Sequence, residues 1–156
     1  MSQHESRHPI HATEVLDIST VLCTSIDTIR YFYGYLLGLE EKISKDKTYV
    51  VFQLGQTEIM FCQSQNTTVQ GTAKHDYLDI PSLWSIPVPE ALYLGLLYRL
   101  KHTEVVKLER KPSWHLEGYW SVSLIDPAGN PVELYTVPQE VPQNKEWESF
   151  SLSALA

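Results

Sequence analysis

Few side chains in this 156-residue sequence stand where their type and spacing could do chemistry. Glu133 is the first. It lies between Val132 and Leu134 in an alternating run, so in a strand those two face a core and Glu133 faces away from it. A carboxylate so placed is either a solvated surface group or, if a cleft desolvates it, a general base with a raised pKa. Of the six histidines, His4, His8 and His11 fall in a polar N-terminal segment and read as solvated. His75 and His115 have no partner at ligand spacing, so neither reads as a metal ligand. Cys23 and Cys62 do not make a disulfide framework and read as small core thiols in a reducing cytoplasm.

The aromatic residues suggest a second kind of chemistry. Trp84, Trp114, Tyr119, Trp120 and Tyr135 gather in the second half of the chain. Aromatic walls with small polar gaps suit a flat or amphipathic organic ligand, although an ordinary aromatic core uses the same residues. Alternation separates the two uses along 119–125. Tyr119, Ser121 and Ser123 share one strand face, whereas Trp120, Val122 and Leu124 share the other. Trp120 is therefore assigned to the core and Tyr119 with Ser121 to a ligand face. Trp84 or Trp114 is expected as a wall of that face.

These residues need elements to hold them. Leu16–Cys23 reads as a strand. Ser25 as N-cap and Asp27 in the first turn then open a helix, whose stripe of Ile29, Phe32, Tyr33, Leu36 and Leu37 ends at Gly38. Strands are predicted at 41–44, 49–54 and 57–63, the last with Ile59 and Phe61 alternating against Glu58, Met60 and Cys62. After a polar stretch over 64–79 the order restarts. A short strand at 83–86 precedes a helix over 90–100, with Pro89 at its first position and Arg99, Lys101 and His102 at its C-terminal end. Strands are then predicted at 104–109, 119–125 and 132–137, the last two joined by the turn Pro127-Ala128-Gly129-Asn130.

A strand-helix-three-strand unit thus occurs twice. The division is a tail over 1–13, a domain over 14–138 (first unit 14–64, connector 65–81, second unit 82–138), and a tail over 139–156 that can dock as a short helix through its apolar residues, such as Trp147. The net charge of −7 disfavours a nucleic-acid partner, which needs a basic face. No apolar run approaches the ~18 residues of a membrane span. The polar start lacks the apolar segment of a secretory signal.

Two segments carry a family likeness. Ser25-Ile-Asp-Thr-Ile-Arg-Tyr-Phe-Tyr-Gly-Tyr-Leu-Leu-Gly-Leu-Glu40 and Asp126-Pro-Ala-Gly-Asn-Pro-Val-Glu-Leu-Tyr135 resemble the first helix and the closing hairpin of the vicinal-oxygen-chelate superfamily, which includes glyoxalase I, bleomycin-resistance proteins and extradiol dioxygenases. The resemblance implies an α+β fold: two βαβββ modules forming a half-open eight-stranded cup with helices outside, commonly paired in a homodimer. It also implies a divalent metal held by His and Glu from the first and fourth strands of each module. Only Glu133 matches that set. The first-strand position falls on Ile18, the fourth-strand position near Met60 beside Glu58 and Cys62, and the run Leu83–Ile86 has no histidine. A one-residue slip would bring in Asp17, and with it a carboxylate set of Asp17, Glu58 and Glu133, but such a slip turns the side chain to the other face.

The expectation is therefore a protein without the usual metal triad that holds a hydrophobic or aromatic compound, with Glu133, Glu58, Met60, Trp84, Trp114, Tyr119, Ser121 and Tyr135 at its site. The alternative is a metal-dependent lyase, isomerase or oxygenase that uses Glu133 as ligand or base.

Overall fold

The computed structural model describes residues 18–64, 82–108 and 110–148. Their elements follow the duplicated order. The first module contains β1 (Ile18–Cys23), the helix α1 (Ile26–Ile29, running on as a π-helical stretch over Arg30–Leu36), β2 (Glu41–Lys45), β3 (Tyr49–Leu54) and β4 (Thr57–Gln63). The second contains β5 (Trp84–Pro87), α2 (Glu90–Lys101), β6 (Ser113–His115), β7 (Tyr119–Ile125) and β8 (Pro131–Thr136). Each module forms its own four-stranded mixed sheet, in the orders β1-β4-β3-β2 and β5-β8-β7-β6. In both, the first strand runs parallel to the last and the other pairs are antiparallel. This is the α+β architecture of two βαβββ modules.

Local chemistry explains the helix. Ser25 is extended, and its Oγ accepts from the Thr28 amide at 3.3 Å. Gln63 Oε1 reaches back from the end of β4 to take the Ile26 amide at 3.1 Å, so two of the donors left open at a helix start are satisfied. The register then widens, with the Leu37 amide bonded to the Phe32 carbonyl at 3.0 Å. Gly38 leaves the helix at φ +72°, in the left-handed region that suits glycine. The apolar spacing that predicts an α-helix here does not distinguish it from this wider winding.

The helices cover one face of each sheet, and the modules meet there. Ile26, Ile29, Phe32, Tyr33 and Leu36 of α1 pack with Val50, Phe52, Ile59 and Phe61, and a single core continues through Tyr93, Leu96, Leu97 and Leu100 of α2 to Trp120, Val122, Leu124, Val132 and Leu134. Trp147, beyond β8, closes this core edge-on against Tyr93 and Trp120, with centroids 5.9 and 5.5 Å away.

Three local expectations change. Residues 104–106 are bends and 107–108 irregular backbone rather than a strand, and the sixth strand is Ser113–His115. Val106 is buried there without pairing to a neighbouring strand. Pro89 occupies the N-cap, extended at φ −54° and ψ 139°, instead of the first helical position. The strand around Ser85 is Trp84–Pro87, one residue later than predicted, and Pro87 lies at its end.

Candidate functional site

Strand register fixes which side chains share the open face of the second sheet. On β8, Val132, Leu134 and Thr136 are buried while Pro131, Glu133 and Tyr135 are half-buried on the other face. Glu133 lies opposite Ser85 on one side and Ser123 on the other, and Tyr135 lies opposite Ser121. The Ser85 hydroxyl donates to Glu133 Oε2 in a short hydrogen bond. That satisfies one of the carboxylate's acceptor sites and leaves others directed at the open face.

A second cluster adjoins it. The tight link between β6 and β7 turns at Gly118, at φ +100°, and its amide bonds to the His115 carbonyl at 2.9 Å. This turn sets His115 opposite Tyr119. Their rings stack with centroids 4.4 Å apart and planes 7° from parallel. His115 Nε2 and Ser121 Oγ are hydrogen-bonded at 2.6 Å. Tyr135 meets Tyr119 edge-on, with centroids 5.8 Å apart. Desolvation, and then the negative charges of Glu133 and Glu117, raise the Tyr119 phenol above its usual value, so this hydroxyl stays protonated and can donate to a ligand.

The predicted site residues divide between faces. Glu133, Tyr119, Ser121 and Tyr135 come together. Trp84 and Trp114 do not join them: Trp84 lies opposite Val132, and its ring packs on Tyr33 and Phe61 at centroid distances of 6.1 and 6.0 Å. Trp114 lies opposite Trp120, with the rings edge-on at 5.3 Å. Both therefore face the core, because a residue opposite a core-facing residue shares its side of the sheet. Glu58 and Met60 are half-buried on the open face of the first sheet, Met60 between Thr20 and Val51. Local sequence does not place His115 on the open face. The signal was the Gly118 hairpin, which carries Tyr119's side of the sheet back across to position 115. His4, His8, His11, Asp17 and His75 lie outside the described residues.

No known family profile and no curated protein matches the sequence. Solved structures do match. A glyoxalase/dioxygenase from Nostoc punctiforme superposes with a TM-score of 0.60 at 14% identity, over 88% of this chain and 100% of that one. The fosfomycin resistance protein FosX from Listeria monocytogenes, solved with Mn(II) and a dihydroxypropylphosphonic acid, gives 0.57 at 14% identity, over 83% and 94%. Lactoylglutathione lyase from Agrobacterium tumefaciens gives 0.50 at 20% identity, over 80% and 95%.

The fold is that of the vicinal-oxygen-chelate proteins.

At these identities the likeness extends to the fold alone, and chemistry must come from the residues. The metal that this fold family implies can be tested against the donors present. Among the described residues no three His, Cys, Asp or Glu side chains lie together in a group able to hold an ion. Glu133 is joined by a serine hydroxyl and tyrosine rings, and Glu58 belongs to the other sheet. Among the described residues, one carboxylate and a hydroxyl are too few fixed ligands for a divalent ion.

Proposed function

We propose that this chain is a vicinal-oxygen-chelate-type binding protein that holds a hydrophobic or aromatic organic compound on the open face of its second sheet. The observation that carries this reading is the stacked and edge-on set His115, Tyr119 and Tyr135 beside the hydroxyl-held carboxylate of Glu133. Rings supply apolar area with low conformational cost, and the hydroxyls and carboxylate fix orientation. A panel of small aromatic compounds, followed by ligand-detected NMR, tests it. Binding that is lost in Tyr119→Ala and Tyr135→Ala supports the reading, and a panel that shows no binding removes it.

We propose further that the protein works as a homodimer. The open face of the first sheet exposes Leu22 and Ile43, each 58% accessible. Two copies related by a two-fold axis can set this face over the ligand face of the second module, giving two equivalent composite cups.

Glu133 also supports a catalytic reading. It occupies the final-strand carboxylate position of the family pattern, is held in place by Ser85, and could take a proton from a bound substrate as general base. The two readings separate on Glu133→Gln. An enzyme loses turnover while affinity stays near wild type, whereas a binding protein has no turnover to lose.

A further inference from the structure

We infer that the compound held on this face is an organic cation, an amine or quaternary ammonium carried on an aromatic group; the inference rests on the binding reading above and names its ligand class. It starts from charge. Among the described residues, the strands of the second sheet place one carboxylate, Glu133, on this face, together with hydroxyls and rings, and no lysine or arginine. The ion pairs of the described residues are Arg30 with Glu41, Lys42 with Glu40 and Lys111 with Glu148, and none engages Glu133. Its one hydrogen-bond partner among them is the neutral Ser85 hydroxyl. Among the described residues of its own chain the carboxylate is therefore half-buried, fixed and without a counter-charge.

Its neighbours suit a diffuse positive charge. Tyrosine rings are negative on their faces, and a cation over the faces that His115 leaves uncovered gains electrostatic energy that grows with desolvation. Tyr119 and Tyr135 stand edge to face at 5.8 Å, and the Tyr119 ring lies within the field of Glu133. A bare metal ion would find too few fixed oxygens among the described residues of this face. An anion such as a carboxylate or phosphonate would meet Glu133 with no guanidinium or ammonium from the strands of this sheet, which such groups require. The net charge of −7 adds a long-range bias in the same direction.

Three water-soluble benzyl-type probes test the inference: benzyltrimethylammonium, neutral benzyl alcohol and anionic benzenesulfonate, each titrated by ligand-detected NMR. Wild type should bind the cation about tenfold more tightly than the alcohol, with the sulfonate weakest. Glu133→Gln should cut that preference severalfold, to what the tyrosine rings alone supply, while its affinity for the alcohol is kept. If the variant does not fold, salt gives the same reading on the wild type: going from about 0.02 M to about 0.5 M should weaken the cation and leave the alcohol unchanged. Equal binding of cation and alcohol, or a preference undiminished in Glu133→Gln, overturns the inference. In that case, alcohol binding that is lost in Tyr119→Ala keeps the ligand-face reading intact. No binding of any of the three overturns both.

Discussion

Tyr33 Oη donates to Asp126 Oδ2 at 2.5 Å, joining the helix of the first module to the closing hairpin of the second. Both partners are buried. Asp126 also accepts from the amides of Ala128 at 2.9 Å and Asn130 at 2.8 Å, and from Asn130 Nδ2 at 3.2 Å. The Asp-Pro-x-Gly-Asn sequence thus does two tasks: it folds the turn on its own carboxylate and presents that carboxylate to the other module. Burial, then the charge of Asp126, holds the Tyr33 phenol well above its usual range, so Tyr33 is the donor. Removing a hydrogen bond to a buried charged acceptor costs roughly 1.5 to 3 kcal/mol. Tyr33→Phe should lower the urea unfolding free energy by about that much. An unchanged midpoint would show the bond to be energetically silent.

A pH dependence follows from the same carboxylate. Burial raises Asp126 above its ordinary value of 3.8, against the opposing hydrogen bonds from Tyr33, Asn130 and Ala128. A group that holds its proton more tightly when folded stabilises the protein below its unfolded pKa. That contribution is lost as pH rises through the folded pKa. Wild type should therefore lose stability from this group on going upward from about pH 4, and Asp126→Asn should lack that component. The comparison is between slopes of Tm against pH, so a constant offset in the variant does not matter. Parallel slopes would show that the burial is offset completely.

Trp114 and Tyr119 should behave oppositely. Trp114→Ala empties space beside Trp120 on the core face and should cost up to about 3 kcal/mol of stability. It should leave ligand affinity near wild type. Tyr119→Ala should weaken binding while changing stability by less than about 1 kcal/mol. A Trp114→Ala protein that is stable but fails to bind would place that indole on the ligand face after all.

The two thiols should react in a fixed order. Burial, and then the neighbouring Cys62, pushes the Cys23 thiol up to about 11, whereas Cys62 is half-buried on the open face of the first sheet. Because the thiolate is the reactive form, a disulfide reagent near neutral pH should modify Cys62 first. Cys23 should follow only on unfolding. Peptide mapping after a short exposure decides this, and early label on Cys23 contradicts it.

Sedimentation at micromolar concentration should show two chains per particle. Leu22→Glu with Ile43→Glu should shift the particle to one chain, since charge on an apolar contact face is costly to bury. Wild type sedimenting as a single chain removes the shared-cup arrangement.

The sequence announces the strands best where alternation is long. The seven residues of β4 and of β7 show their two faces in their spelling, and so does the Val132-Glu133-Leu134 triplet. The sixth strand is only three residues long, too short for a period of two to register, while the Val105-Val106 pair upstream imitates a strand. The same brevity hides the side of Trp114 and the place of His115, which depend on how the Gly118 turn sets the register of β6 against β7. The widened winding of α1 leaves no mark because its buried residues keep helical spacing. The Tyr33–Asp126 contact joins positions 93 apart, and no local pattern encodes it.

Each sheet is completed from its own stretch of chain, with the last strand laid beside the first. During synthesis from the N-terminus, the first module has all its strands by residue 63, and the second cannot close before residue 136. Tyr33 is therefore made long before the carboxylate that it will hold. In that interval the aromatic surface later covered by the second module has no cover, so the growing chain is most exposed to misassociation before its final hairpin emerges.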